Sequence, residues 1–243
     1  MPEIKPLSAR SMVLSLILGS HPRGMTAQEL SRAGEYFGVS PATVRVALTR
    51  AVANEELGRQ GSTYHLGARL LAREKRQAEH AAEIPWDRTW EMAVVVTAGR
   101  PGRERAFLRD TLTAARLGEL REGVWMRPAN LSRPPTYADT ATLRTFRSTP
   151  QEDSEALAAG LWDLRAWADE TEATLERFET THEPAPRLAV AAHLVRHLAT
   201  DPLLPEELWP EWWPTRRARA VYADYQAELR EIHQSELIDS DSR

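Results

Sequence analysis

Apolar and polar positions recur with a helical period in the first quarter of the chain, most clearly in the stretch SPATVRVALTR at residues 40–50. At 100° per residue, one arc of this helix contains Val44, Ala47, Leu48, Ala51 and Val52. The opposite arc contains Thr43, Arg45, Val46, Thr49 and Arg50. The pattern therefore predicts a helix with one face in a core and an outer face suited to contacting a partner.

Helix start and stop signals predict two helices before this one. The stretch ARSMVLSLILGS at 9–20 is typical of a buried helix that ends at Gly19, and Thr26 with Glu29 forms a capping box for a second helix. The residues expected to face inward from the second helix are Leu30, Ala33 and Phe37. Gly38 stops that helix, and Ser40 can cap the next one with Pro41 at its first position.

Two helices joined by such a tight turn predict a helix-turn-helix, with residues 40–50 as the recognition helix in a major groove. The stretch LGRQGSTYHL at 57–66 has two short extended runs around Gly61 and Ser62, which predicts a hairpin that serves as a wing. We therefore expect double-stranded DNA as a partner. The predicted DNA-binding residues are Ser40, Thr43, Arg45, Val46, Thr49, Arg50, Arg59, Gln60, Ser62 and Thr63.

The pattern then changes from strands to helices. A linking helix is expected at 68–83, strands at 90–99, 121–128 and 142–148, and a helix at 102–118. The predicted core residues of that helix are Phe107, Leu108, Leu112, Ala115 and Leu117. From about residue 153 the chain is expected to be helical, interrupted by prolines at 202, 205, 210 and 214. These elements predict three domains, at 1–83, 84–150 and 151–243.

Composition narrows the class of protein. The 243 residues are 42% hydrophobic, which suffices for a sizeable core, and no cysteine is available for a disulfide or a thiolate site. Residues 1–80 carry 11 Lys and Arg against 7 Asp and Glu, whereas residues 81–243 carry 20 against 28. This asymmetry favours a basic nucleic-acid-binding module joined to an acidic body. Neither apolar run, at 12–18 or 92–96, is long enough to span a bilayer, so a cytoplasmic protein is expected.

Three stretches resemble the PaaX-like transcriptional repressors, named for control of phenylacetate degradation. They are SPATVRVALTRAVANEELGRQGSTYHL, RDTLTAARLGELREGVWMRP and DPLLPEELWPEWWP, of which the last is the most specific. The resemblance implies an α+β fold with an N-terminal winged helix-turn-helix, a central ferredoxin-like β-α-β domain and a C-terminal helical domain. It also implies a homodimer, no cofactor, and an aryl- or acyl-CoA thioester as effector.

Such an effector is expected to bind between the middle domain and the helical tail. Tryptophans supply apolar walls there, and nearby arginines and histidines supply polar contacts. The candidate effector residues are Trp162, Trp167, His193, His197, Trp209, Trp212, Arg216 and Arg217. The same residues can instead pack helices together and cap their ends.

Two other functions compete with a repressor of a catabolic operon. A metal-dependent nuclease would use the ferredoxin-like domain, but VVVTAGRPG offers no carboxylate before Glu104. His193 and His197 lie four residues apart, yet HLVRH lacks the glutamate of a zincin, so no metal site is expected. A scaffold that binds partners through its acidic tail and never contacts DNA is the third possibility.

Overall fold

The structure, a computed structural model, describes residues 4, 6–68, 70–71, 83–97, 99–132, 137 and 141–240. Two units divide the chain. The first contains Met1–Lys75, Glu170–Ala199 and Pro214–Arg243, and the second contains Arg76–Asp169 and Thr200–Trp213. The helices after residue 153 thus occur in both units. The three domains expected from the sequence remain a prediction, and most of the expected linking helix at 68–83 lies outside the described residues.

The first unit begins with three helices and a small sheet. The elements are α1 (Ala9–Gly19), β1 (Met25–Thr26), α2 (Ala27–Tyr36), α3 (Pro41–Ala53), β2 (Leu57–Gln60) and β3 (Thr63–Leu66). The strands form an antiparallel sheet in the order β1-β3-β2, in which Tyr64 of β3 lies opposite both Met25 and Arg59. The predicted capping box of Thr26 and Glu29 is confirmed, as is the cap of Ser40 on α3.

Helices from the C-terminal part of the chain complete the core of this unit. They are α6 (Leu164–Thr180), of which residues from Glu170 onward belong to the first unit, α7 (Pro184–Leu198) and α8 (Thr215–Ser240). Their Phe178, Leu188 and Tyr225 are buried in one cluster with residues of α1, α2 and α3. The predicted core residues Leu30, Ala33 and Phe37 belong to that cluster, so their placement is confirmed.

Val52 departs from the predicted pattern, because it is 37% exposed rather than buried. At 100° per residue it lies about 90° from the centre of the arc formed by the buried Val44, Ala47, Leu48 and Ala51. The buried face of α3 is therefore narrower than the apolar pattern suggested. Ala47, placed at the edge of the arc, is buried.

The second unit is built on a four-stranded antiparallel sheet. Its elements are β4 (Trp90–Val95), α4 (Gly102–Ala114), β5 (Gly118–Arg121), β6 (Val124–Pro128), β7 (Leu143–Ser148), α5 (Ser154–Leu161) and a short 3-10 helix (Glu206–Leu208). The strand order is β5-β6-β4-β7, so β4 lies in the interior, with Met92 opposite both Met126 and Phe146. The protein is thus of the mixed α+β class with two antiparallel sheets.

The elements expected in the middle of the chain are present, but three of them have bounds that differ from those expected. The helix expected at 102–118 ends at Ala114, and the strand expected at 121–128 is a hairpin of β5 and β6 around Gly123, whose φ is +79°. A Cβ on Gly118 would lie 2.7 Å from Cβ of Leu161, so glycine permits β5 to pack closely on α5. The strand at 90–99 ends at Val95.

Phe107 also departs from the expectation, because it is 74% exposed although it was expected in the core. Leu108, Leu112 and Ala115 follow a spacing of three to four residues and pack on the sheet. Phe107 lies about 140° round the helix from Leu112 and therefore faces solvent. Among the described residues, no helix is both long and apolar enough to cross a membrane.

A buried arginine holds the proline-interrupted segment of the tail against the sheet. Residues 201–205 are all buried without regular secondary structure, so their backbone carbonyls need donors from elsewhere. Arg127 of β6, fully buried, donates through Nη2 to the carbonyl of Leu203 at 3.1 Å and to Oδ1 of Asn130 at 2.7 Å. Asn130 Nδ2 also donates to the Leu203 carbonyl, at 3.0 Å.

We predict that Arg127→Met destabilises the second unit by about 3 kcal/mol, because it removes buried charge-assisted hydrogen bonds from carbonyls that water cannot reach. Urea unfolding followed by tryptophan fluorescence measures this, since all eight tryptophans lie in that unit. Arg103→Met on the exposed face of α4 is the matched control, expected to cost less than about 0.5 kcal/mol. Equal unfolding midpoints for the two variants would show that Arg127 does not hold residues 201–205 against the sheet.

Candidate nucleic-acid interface

The outer face of α3 is exposed as the sequence pattern predicts. Thr43, Arg45, Val46, Thr49 and Arg50 are all exposed, and the Val46 side chain is 51% exposed. The opposite face is fixed in rotation because Val44, Leu48 and Ala51 are each no more than 2% exposed. Val46 is an apolar side chain on this charged, solvent-exposed face, and core packing does not explain its presence there.

Close packing of α2 on α3 sets the angle at which this face is presented. A Cβ on Gly34 of α2 would lie 2.6 Å from Cγ2 of Val44, closer than real Cβ contacts come. The turn between the two helices needs glycine at Gly38, where φ is +72°. The geometry of the helix pair therefore depends on two glycines, and larger residues at either position would displace α3.

The first turn of α3 is held by its cap. Ser40 Oγ accepts a hydrogen bond from the backbone N–H of Thr43 at 3.3 Å and lies 2.8 Å from Oγ1 of Thr43. Thr49 Oγ1 donates to the carbonyl of Arg45 at 3.0 Å. The side chains of the two arginines differ from these hydroxyls: the guanidinium groups of Arg45 and Arg50 form no hydrogen bond or ion pair with a residue that the structure describes. Their guanidinium donors are available to a ligand.

The hairpin carries the other predicted contacts. Gln60 lies opposite Thr63 and closes the turn, and Gly61 between them has a φ of +60°. Arg59 Nε donates to the carbonyl of Gly61 at 2.8 Å, while its guanidinium carbon lies 5.6 Å from the centre of the Tyr64 ring. Gln60 and Ser62 are exposed and Thr63 is half-buried. The tip is thus polar and carries one arginine held in position.

An ion pair ties the base of the hairpin to α1. Arg10 of α1 donates through Nε to Oε2 of Glu56 at 2.7 Å, and its Nη2 donates to the other carboxylate oxygen. Glu56 is buried, and its hydrogen bond and charge raise the pKa of Arg10 above the usual arginine value. A Cβ on Gly67 would lie 2.2 Å from the carbonyl oxygen of Glu55, so the chain leaving the hairpin passes close to the same corner.

Three of the predicted effector residues come together in the second unit. Trp162, Trp209 and Trp212 line a groove of about 750 Å³ beside α5. Its charged residues are Asp153, Glu155, Asp163 and Arg165, and the Arg165 guanidinium lies 4.8 Å from the ring centre of Trp212. Trp167 is not part of this groove, because it stacks on Trp213 at 4.5 Å and donates to Thr200 Oγ1 at 3.0 Å.

The other four predicted effector residues belong to the first unit. His193 Nε2 lies 3.2 Å from Oε1 of Glu170, and His197 Nε2 lies 2.9 Å from Oγ1 of Thr171. Arg217 donates to Glu172 at 2.8 Å and to Glu179 at 2.7 Å, and these partners raise its pKa. Arg216 is exposed in the first turn of α8. His193, His197 and Arg217 therefore tie α7 and α8 to α6.

The described residues contain no group of three His, Cys, Asp or Glu side chains that could hold a metal ion. At the end of β4, where a nuclease of this fold needs carboxylates, the described residues are Val96, Thr97 and Gly99. Thr97 Oγ1 donates to the carbonyl of Ala141 at 3.0 Å.

Comparison with known proteins bears on both units. The model of the PaaX protein central Cas2-like domain matches residues 83–149, and that of the PaaX-like protein C-terminal domain matches residues 155–237. Among solved structures, the uncharacterized protein Rv0674 from Mycobacterium tuberculosis is similar with 40% sequence identity and a TM-score of 0.85. The match covers 94% of this chain and 98% of that chain. No curated protein matches.

Proposed function

Because the chain belongs to the PaaX-like family, whose members are generally transcriptional regulators, we propose that it is a DNA-binding repressor that acts in the cytoplasm. In this proposal residues 9–66 form a winged helix-turn-helix, with α3 as the recognition helix and the β2-β3 hairpin as the wing. The observation that carries it is the outer face of α3, where Arg45, Arg50 and Val46 are exposed opposite a buried apolar face.

The proposed docking places α3 in the major groove of duplex DNA. Arg45 and Arg50 can donate in pairs to guanine O6 and N7 or bind phosphates, and Val46 can contact a thymine methyl group. The capped N-terminus of α3 has backbone N–H groups that suit a phosphate. Arg59, Gln60, Ser62 and Thr63 of the wing would contact the backbone or the minor groove. The basic balance of residues 1–80 supports this orientation.

We expect Arg45→Ala and Arg50→Ala each to weaken operator binding by about 1 to 3 kcal/mol if the side chain contacts a base. Fluorescence anisotropy on duplex fragments retained by the protein from genomic DNA measures the affinity. Arg105→Ala on the exposed face of α4 removes the same charge and should leave the affinity unchanged. If a double Arg45→Ala, Arg50→Ala variant bound the operator with wild-type affinity, α3 would not be the recognition helix.

A homodimer is expected because the protein must select one DNA site in a genome. One winged helix buries too little surface to select a single genomic site, and two copies related by a two-fold axis double the interface. The second unit carries exposed apolar side chains on both edge strands of its sheet, at Leu120 (45%) and Phe146 (49%). These support a contact between two copies through the sheet.

Sedimentation equilibrium at micromolar concentration should therefore give the mass of a dimer, and Phe146→Glu should shift the equilibrium toward the monomer. Thr145→Glu, exposed on the same strand, introduces the same charge and tests whether the effect belongs to the apolar side chain. A wild-type chain that stays monomeric both with and without operator would refute the dimer.

Release of the operator by an aryl- or acyl-CoA thioester completes the proposal, in which the regulated operon serves catabolism of an aryl acid such as phenylacetate. The tryptophan groove of the second unit supports binding of the apolar acyl part beside Trp212. Three carboxylates and one arginine line that groove, so the phosphates of the thioester are expected to lie outside it.

Titration of tryptophan fluorescence with phenylacetyl-CoA and with octanoyl-CoA should show saturable binding that Trp212→Ala weakens. Operator should lower the affinity for the thioester by the same factor by which the thioester lowers the affinity for operator. If a bound thioester leaves operator affinity unchanged, the effector is wrong while DNA binding stands.

A further inference from the structure

A pocket lies within the first unit, between the C-terminal half of α1 and helices α7 and α8. Its volume is about 170 Å³. An apolar protein cavity of ~150 Å³ is known to hold benzene, so the pocket has room for a small organic body rather than for water alone. Aliphatic side chains and two tyrosines form most of the wall, among them Leu16, Leu188, Val195, Tyr222, Tyr225 and Leu229.

One positive charge stands at the edge of this apolar wall. Arg196 of α7 lines the pocket and is exposed, and no Asp or Glu is among the lining residues. The guanidinium of Arg196 forms no hydrogen bond or ion pair with any residue in the described part of the chain. A guanidinium binds a carboxylate through two parallel hydrogen bonds. The complementary ligand is therefore an anion with an apolar body.

The polar groups deeper in the wall stay neutral. Burial raises the pKa of Tyr222 above its usual value, and Gln226 Nε2 donates to the Tyr222 hydroxyl at 3.2 Å. The phenol thus keeps its proton at neutral pH and places no negative charge beside the ligand. The charge of the pocket is then set by Arg196, which favours a monoanion over a neutral molecule or a cation.

The pocket is linked through α1 to both elements that would contact DNA. Leu16 lines the pocket and also packs in the buried cluster that contains Val44 and Leu48 of α3. Ser20, which caps the end of α1, lines the pocket too, and the chain from there reaches β1 within five residues. Met25 of β1 pairs with Tyr64 of the hairpin. A ligand against the end of α1 therefore contacts the supports of α3 and of the hairpin.

We propose that this pocket binds a small monocarboxylate with an apolar body of about six to eight carbon atoms, and that its occupancy lowers the affinity of the protein for DNA. The binding site stands on the pocket itself, whereas the effect on DNA rests on the proposed function. A thioester has no carboxylate for Arg196, so the free acid is the expected ligand of this pocket.

Calorimetry on the full-length chain tests the binding site, with octanoate and its uncharged analogue octanamide as probes. Octanoate should bind saturably at one site, and octanamide about tenfold more weakly or worse, because it lacks the charge-assisted pair with Arg196. Arg196→Gln should lower the octanoate affinity to that of octanamide, and Arg105→Gln should not. Ala192→Phe, which fills the pocket, should abolish binding of both probes; Arg196→Gln, being a surface change, keeps the test valid if Ala192→Phe fails to fold.

The proposal would be overturned if Arg196→Gln left the octanoate affinity unchanged. It would also be overturned if the wild-type chain did not bind octanoate at millimolar concentration. Binding of octanoyl-CoA that is tighter than that of octanoate, that Ala192→Phe abolishes and that Trp212→Ala leaves unchanged would place the thioester in this pocket and overturn the choice of a free acid. Saturating octanoate should weaken operator binding by the wild type and leave an equally stable Ala192→Phe variant unaffected. If octanoate binds but operator affinity does not change, the regulatory half is wrong. If the chain binds no DNA at all, the proposed function fails while the calorimetric result still decides the site.

Discussion

The packing of α3 on α1 and α2 is the interaction on which the first unit depends. Val44, Leu48 and Ala51 leave almost no surface to water, and the glycine at position 34 allows the two helices to approach closely. Because burying these side chains stabilises the helix in one rotation only, the same contacts direct Arg45, Val46 and Arg50 to solvent. The packing that buries the apolar face of α3 therefore also exposes the face that is proposed to contact DNA. The helices α6, α7 and α8 belong to the same core through Phe178, Leu188 and Tyr225. The core against which α3 packs therefore includes side chains of all three tail helices.

The second unit depends on a different kind of contact. Five consecutive buried residues, 201–205, include two prolines and form no regular structure, which leaves carbonyls that need buried donors. A guanidinium has five N–H donors in one plane, and Arg127 directs them at Leu203, Asn130 and neighbouring backbone. Leu203 itself has a φ of +54°, and its N–H is bound by Asp201 Oδ1 at 2.8 Å. Asp201, Pro202, Leu204 and Pro205 of this segment belong to the Asp-Pro and Leu-Pro pattern by which the tail resembles its family.

Local signals predicted the elements between residues 9 and 66 well. The capping box at Thr26, the cap at Ser40 and the glycine turn at Gly61 depend on residues close together in the sequence, and each is present in the structure. The sheet of the second unit was harder, because Leu117 and Gly118 continue a helical pattern and only the pairing of Gly118 with Met126 of β6 shows that a strand begins there. Phe107 was misplaced for a related reason, since composition does not say which apolar residues of a helix meet the sheet.

The candidate effector residues were grouped by chemistry alone, and the structure divides them between two units. The pocket beside α1 could not be predicted, because it is formed by small gaps between helices distant in sequence.

Duplex binding by the intact chain as a function of salt concentration tests the central claim most directly. If α3 and the hairpin bind DNA through Arg45, Arg50 and Arg59, the logarithm of the association constant falls linearly with the logarithm of the salt concentration. The expected slope is about −0.9 for each phosphate contacted, summed over both copies of a dimer. A fragment carrying the operator should retain an affinity above that of unrelated duplex at every salt concentration. Absence of duplex binding at low salt, or an affinity that does not depend on salt, would contradict the assignment of the outer face of α3 to DNA.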